Sequence, residues 1–147
     1  MQKLKIKKLR ENAILPRRMS HGAAGFDLTA CIDSPVEILP GSLHRIPTGI
    51  AIQLPGEDLA DLIYARSGLA AKHGITLSNC VGVVDSDYRG EIIVALCNVS
   101  DRSYTVQPGE RIAQMVITPV VRMETEQSDE LDETERGSGG FGSTGKR

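Results

Sequence analysis

Tryptophan is absent from this sequence, and aromatic residues are limited to two Phe and three Tyr. The hydrophobic core must therefore be built from Val, Ile, Leu and Ala. Paired cysteines are missing too. Cys31, Cys80 and Cys97 are odd in number and widely spaced, with no C-x-x-C, and His21, His44 and His73 are equally scattered. Zinc ligands come in close-spaced pairs, so no zinc site is expected. Three unpaired thiols point to a reducing compartment and a cytoplasmic protein. No apolar run approaches the ~20 residues a membrane helix needs, so no membrane partner is expected. Nor is there an excess of positive charge: the net charge is −2, which argues against nucleic acid as a partner held by overall charge.

What is there suits one soluble domain. The chain has 147 residues, 40% hydrophobic and 24% charged, long enough to bury a core. The opening MQKLKIKKLRENAILPRR is basic without the apolar stretch of a signal peptide. Leu4 and Ile6 alternate with Lys3, Lys5 and Lys7, which reads as a half-buried strand whose outer face is guarded by lysine. Pro40-Gly41, Pro55-Gly56 and Pro108-Gly109 mark turns. Between them Ile50, Ile52 and Leu54 alternate with Ala51 and Gln53 at the period of a strand. The apolar run from Ile92 to Cys97 predicts a strand buried on both faces, and the run from Ile112 to Ile117 is similar, interrupted by Gln114. Short strands at this spacing predict an all-β sandwich or barrel. Only SGLAAKHG, from Ser67 to Gly74, reads as helix, with Ser67 as its N-cap and Gly74 as its stop.

After Met123 the pattern changes. ETEQSDELDETE, residues 124–135, holds seven acids in twelve residues, with Leu131 its one large apolar residue. A Gly-rich stretch follows in which five of the nine residues 137–145 are Gly. Such composition buries too little to fold alone. We expect a body over residues 1–123 and an acidic linker with a flexible Gly-rich arm over 124–147. Phe141 stands within the arm, where no core surrounds it.

Five stretches carry candidate chemistry. In RSGLAAKHG, Arg66 and Ser67 lie where a strand gives way to a short helix, and exposed N–H groups at a helix start together with an Arg fork suit a phosphate. In NCVGVVDSDYRGEIIV, valines lead into a turn with two carboxylates, Asp85 and Asp87, and a ring, Tyr88. An apolar strand leaves that turn, which is the pattern of a hairpin. In AAGFDLTA, Asp27 faces opposite to Phe26 and Leu28. In PGERIAQMVI, Gln114 interrupts an apolar strand, and its amide needs either a backbone partner or a ligand. In the arm, residues 140–146 read G-x-x-x-x-G-K, but Arg147 follows in place of Ser or Thr and no strand precedes, so this is not a phosphate-binding Walker loop. Successive Gly N–H groups still converge readily on an anion, and Phe141 beside them can stack on a base for ~1–3 kcal/mol.

In their order, AAGFDLTA, ARSGLAAKHG, NCVGVVDSDYRGEI, PGERIAQMVI and ERGSGGFGSTG resemble the five motifs of the trimeric deoxyuridine triphosphate nucleotidohydrolases (dUTPases), over about Ala23 to Gly145. The resemblance implies an all-β, jelly-roll-like (β-clip) fold with one short helix and a Gly-rich arm. It also implies a homotrimer whose active sites are shared between subunits. The implied reaction is hydrolysis of dUTP to dUMP and pyrophosphate with Mg²⁺ carried on the triphosphate, which keeps uracil out of DNA and supplies dUMP for thymidylate synthesis.

Carried onto this sequence, the resemblance implies that Asn79 and the backbone of Val83, Val84 and Ile93 read the uracil, and that Tyr88 lies under the deoxyribose. Asp85 would hold and deprotonate the attacking water. Arg66, Ser67 and Gly68 would grip the phosphates with help from Gln114. Arg136, Ser143 and Thr144 would close over the phosphates and Phe141 over the uracil. Asp27 would order the water shell of the metal. Residue chemistry alone does not separate Asp85 from Asp87. The related dCTP deaminases share the fold, but their second motif continues Arg-Ser-Ser, whereas Gly68 and Leu69 follow Ser67 here. A non-catalytic nucleotide-binding protein on the same scaffold is the rival from another class; the presence of Asp85 and the arm argues against it.

Overall fold

A chain rich in Val and Ile and punctuated by Pro-Gly turns favours short antiparallel strands, and these dominate the computed structural model, which describes residues 3–140. The first strands are β1 (Lys5–Lys8), β2 (Phe26–Thr29), β3 (Val36–Ile38), β4 (Leu43–Pro47), β5 (Ile50–Gln53) and β6 (Leu59–Ala65). The helix α1 (Ser67–His73) comes next, followed by β7 (Ile75–Leu77), β8 (Gly82–Val84), β9 (Ile93–Asn98), β10 (Tyr104–Val106) and β11 (Arg111–Pro119). The strands form four small sheets in the orders β1-β5, β10-β3, β2-β11-β6-β8 and β4-β9-β7, with antiparallel pairing throughout. All three Pro-Gly dipeptides fall between strands.

The core is aliphatic, as the scarcity of rings requires. Leu28, Ile38, Ile50, Leu96, Ile112 and Met115 are at most 1% exposed, and no Phe or Tyr is fully buried among the described residues. In β1, Ile6 packs on this core while Lys5, Lys7 and Lys8 are exposed. Lysines on a strand that pairs on one side only block pairing with another chain. No helix among the described residues is long and apolar enough to cross a membrane.

Three expectations require correction. The helix and its cap lie one position earlier than the sequence suggests: Arg66 is the N-cap, with extended backbone (φ −84, ψ 129), and Ser67 is the first helical residue. No side-chain hydrogen bond caps this end. The other end is as expected, since Gly74 adopts the left-handed conformation (φ 65) and its N–H donates to the Ala70 carbonyl. Second, β9 is buried on one face only. Val94, Leu96 and Asn98 point into the core, while Ile93 is 48% exposed and Ala95 and Cys97 are half-buried. Third, the valine run and the strand after Asp-Ser-Asp-Tyr-Arg-Gly do not pair as a hairpin. β8 is the edge of one sheet, in register with β6, and β9 is the centre of another, between β4 and β7.

Two buried polar side chains contrast sharply. Asn98 donates to the carbonyls of Ile38 and Arg102 and accepts from Ser100, so it is satisfied. Asp61, on β6, is fully buried, and neither carboxylate oxygen has a hydrogen-bond partner. Loss of hydration pushes its pKa up to about 7. Beyond β11, Arg122 donates to the Glu57 carbonyl and holds the chain to the body. From Val120 through Ser138 every residue is exposed and none belongs to a strand or helix.

Candidate active site

Because β8 and β9 belong to different sheets, they diverge from the turn at 85–90, and the space between them is a cavity of about 240 Å³. Ile63, Gly82, Val83, Val84, Ile92 and Ile93 form its apolar walls, and Asn79, Asp85, Tyr88 and Glu91 bring polar groups to it. An apolar slot with a few convergent polar groups is the usual form of a small-ligand site. Its edges also offer backbone. β8 pairs on one side only, and β7 follows β9 only as far as Leu96, leaving Ile93 with Pro47 as its sole ladder partner. Unpaired strand N–H and C=O groups beside a flat slot can pair with the edge of a planar ligand. Cys80, next to Asn79, is the one described non-Gly residue with positive φ, 61°, a strained conformation of the kind concentrated at functional sites.

The turn itself is tied from within. The Tyr88 amide donates to the Asp85 carbonyl, and Arg89 donates to the carbonyls of Ser86 and Tyr88. The Tyr88 hydroxyl donates to the Glu91 carbonyl at 3.0 Å. On the other side of Asp85 opens a second, larger cavity of about 700 Å³, walled by residues 53–57 and 59, by 85–87 and Arg89, and by Val120 and Arg122. Asp85 lines both cavities, whereas Asp87 lines only the second.

A second cluster forms where β2, β11 and the start of α1 meet. Gln114 stands opposite Asp27 on β2 and Tyr64 on β6, and its Nε2 donates to the Ala65 carbonyl, the backbone partner a buried amide requires. Asp27 Oδ2 accepts from Arg111 Nη1 at 2.9 Å and lies 3.8 Å from Arg66 Nε. Arg66 Nη1 donates to the Arg111 carbonyl. Ser67 and Gly68 are exposed in the first turn of α1, whose N–H groups have no intrahelical acceptor. A side chain at Gly68 would meet nothing within 4 Å, so packing within the chain does not require glycine there. None of Asp27, Arg66, Ser67, Gly68 or Gln114 lines either cavity. A single chain therefore gathers Asn79, Val83, Val84, Asp85, Tyr88 and Ile93 around one slot and leaves the phosphate-type residues elsewhere.

No group of three or more His, Cys, Asp or Glu side chains converges on a metal position among the described residues. Asp27 has one carboxylate oxygen facing two guanidinium groups, Arg111 and Arg66. Arg136 sits in an exposed local turn, its Nε bonded to the Gly139 carbonyl. Phe141, Ser143 and Thr144, and most of the Walker-like run, lie outside the described residues.

Three residues that sequence reasoning passed over complete the picture. Arg111 is the main partner of Asp27. Glu91 lines the slot and accepts from the Gly49 amide through Oε1 at 2.8 Å; an acid opening an otherwise apolar strand was the available signal. Asp61 had no signal, because an acid alternating with apolar residues reads as solvent-facing.

The model of the family described as dUTPase matches residues 11–145. A deoxyuridine 5'-triphosphate nucleotidohydrolase of Serratia proteamaculans is 51% identical over 90% of this chain and 87% of its own. One from Leptothrix cholodnii is 54% identical over 90% and 88%. The dUTPase of Staphylococcus bacteriophage 80alpha, solved with dUpNHpp, superposes with a TM-score of 0.88 at 29% identity over 99% of both chains. A dUTPase from S. aureus phage phi11, whose structure describes coordination of a structural Mg(II) ion, superposes at 0.78 with 25% identity over 88% of this chain and 98% of its own.

Proposed function

The chain belongs to the dUTPase family, and on that premise we propose that it hydrolyses dUTP to dUMP and pyrophosphate by the following use of its residues. The observation that carries the assignment is the position of Asp85, on the boundary between an apolar slot of base size and a wide polar groove. A nucleotide with its base in the slot would bring its α-phosphate to that boundary. Asn79 and the free edges at Val83, Val84 and Ile93 read the uracil, and the side chains walling the slot would exclude the thymine methyl. Tyr88, which lines the slot, would lie under the deoxyribose, where its ring would bar a 2′-hydroxyl.

Asp85 accepts a proton from the water it orients. The water oxygen bonds to the α-phosphorus in line, the α-phosphorus–oxygen bond to the β-phosphate breaks, and pyrophosphate leaves with that electron pair. Such a reaction asks the protein for positioning, charge neutralisation and one base. Mg²⁺, brought on the triphosphate, would supply positive charge to the phosphate oxygens, and Asp27 would order its waters. Arg66, Ser67, Gly68 and Gln114 grip the phosphates.

Those four residues and Asp27 are absent from the cavities around Asp85, which supports a site completed by a neighbouring copy and hence a homotrimer with shared sites. Residues 1–123 act as the body and 124–147 as an arm. Arg136, Ser143 and Thr144 of the arm close over the phosphates, and Phe141 closes over the base. Three unpaired thiols suit a cytoplasmic enzyme, there keeping uracil out of DNA and supplying dUMP.

The test is a panel of nucleoside triphosphates with Mg²⁺, assayed for pyrophosphate and for ammonia. Pyrophosphate from dUTP, with little from UTP, dTTP or dCTP, is expected. Ammonia from dCTP would move the chain to the deaminases, and no turnover would leave a binding protein.

A further inference from the structure

We infer that Glu91 is a specificity-determining positioning residue: its carboxylate sets the place of Tyr88 and thereby the preference for a 2′-deoxy sugar. The inference rests on the reading of Tyr88 given above. It starts from a fixed point in the core. Gly49 has a φ of 70°, and a Cβ on it would lie 2.6 Å from the Cys31 sulfur and 2.8 Å from the Ala13 Cβ. Cys31 and Ala13 are both buried, so the Gly49 backbone cannot shift without disturbing packed side chains. The Gly49 amide donates to Glu91 Oε1 at 2.8 Å. On either side of it, the Thr48 hydroxyl and amide both donate to the Ile92 carbonyl, and the Ile92 amide donates to the Ile50 carbonyl. Residues 91 and 92 are thus fastened to residues 48–50 by consecutive contacts.

Tyr88 takes its position from this fastened segment. Its hydroxyl donates to the Glu91 carbonyl. Its ring lies over Gly90 so closely that a Cβ there would fall 2.3 Å from the phenol oxygen and 2.5 Å from Cζ. The ring is otherwise exposed at 45%, so these contacts, rather than burial, hold it against the slot. The chain of restraint runs from Cys31 and Ala13 through Gly49 and Glu91 to the ring that meets the sugar. The turn contains no other acid bonded to the body: among the described residues neither Asp85 nor Asp87 has a side-chain hydrogen bond or an ion pair.

A carboxylate accepting one backbone N–H can be replaced by an amide with little loss and by a methyl only with loss of the contact. Removing an acceptor of a charge-assisted hydrogen bond costs roughly 10-fold or more. Glu91→Ala is therefore expected to raise KM for dUTP about 10-fold, and to lower the ratio of kcat/KM for dUTP over UTP by a similar factor, with a smaller effect on kcat. Glu91→Gln should recover most of that ratio, because the acceptor is kept and only the charge is lost. Gly90→Ala, which leaves the Glu91 contact in place and displaces the ring directly, should lower the same ratio and serves if Glu91→Ala does not fold. An unchanged dUTP/UTP ratio in Glu91→Ala and Gly90→Ala would overturn the inference, as would a Glu91→Gln enzyme as impaired as Glu91→Ala. A parent protein that does not hydrolyse dUTP would instead remove the functional reading on which it stands.

Discussion

Asp27 and Arg111, 84 positions apart in sequence, meet through a hydrogen bond of 2.9 Å between Oδ2 and Nη1. The same oxygen lies 3.8 Å from Arg66 Nε, so one carboxylate aligns two guanidinium groups beside the first turn of α1. Asp27 is 16% exposed at its side chain, Arg66 28% and Arg111 42%, so the carboxylate is shielded from water more than its partners, and each pair is worth about 1 kcal/mol or less.

Asp27→Asn should therefore loosen Arg111 and, through the longer ion pair, Arg66, and raise KM for dUTP several-fold, on the scale of about 1 kcal/mol for a partly exposed ion pair, while the fold persists. Steady-state kinetics at saturating Mg²⁺ measure this. A rise in the Mg²⁺ needed for half-maximal rate would mark a carboxylate that also orders the metal's waters; the ion pair alone predicts none. Unchanged kinetics would remove Asp27 from the site altogether.

Asp85→Asn should bind a non-hydrolysable dUTP analogue nearly as the parent does and turn over dUTP ~10²–10⁴-fold more slowly, the usual scale for loss of a general base. Asp87, which lines only the larger groove, should tolerate the same change. The opposite outcome in the two variants would mean that the base is Asp87.

Asp61 gives a prediction about stability and pH. Its carboxyl titrates near 3.8 when hydrated and is pushed up to about 7 by burial, so the folded chain keeps a proton that the unfolded chain has released. Stability from this group is complete below about pH 4, falls as pH rises toward 7, and is lost above it. The total is on the order of 4 kcal/mol for a shift of this size. Asp61→Asn removes the titrating group, and denaturant unfolding at fixed protein concentration should show the variant gaining on the parent from pH 4 to pH 8. Parallel profiles for the two proteins would show that Asp61 has found a partner in the assembled enzyme.

The strands that could be read in advance are those whose pattern needs no partner to explain it. Lys3, Lys5 and Lys7 around Ile6 declare an edge, and Pro-Gly declares a turn. The cap of α1 was misplaced by one residue because Ser67 suits either side of the boundary, and only the extended backbone of Arg66 decides. The separation of β8 from β9 was not legible. Alternation and a turn state that two strands reverse direction, not that each then pairs elsewhere, as Val84 does with Asp61 and Ile93 with Pro47. The burial of Asp61 escaped for the same reason, since β8 and β11 flank it from distant parts of the chain. Of the candidate site, the slot around Asp85 was readable as one contiguous motif. The dependence of Tyr88 on Glu91 and Gly49 was not, because the Glu91 carboxylate meets a backbone amide 42 positions away.

The arm gives the last prediction. Residues 137–147 are rich in Gly, with Phe141 their one large apolar residue. Deleting them should therefore leave β-sheet circular dichroism, thermal stability and oligomeric state almost unchanged, since such a composition offers little apolar surface to bury. The same deletion should abolish most hydrolysis if the arm acts as proposed, because its closure over a bound nucleotide would supply N–H groups and a stacking ring and exclude water. Phe141→Ala should be milder, at roughly 5- to 150-fold in kcat/KM for a stack of ~1–3 kcal/mol. With no tryptophan in the chain, Phe141→Trp places a single reporter on the arm. Its fluorescence should change when a non-hydrolysable dUTP analogue and Mg²⁺ are added, and much less with the ATP equivalent. Full-rate dUTP hydrolysis by the truncated protein would show that the slot and its neighbouring subunit suffice without the arm.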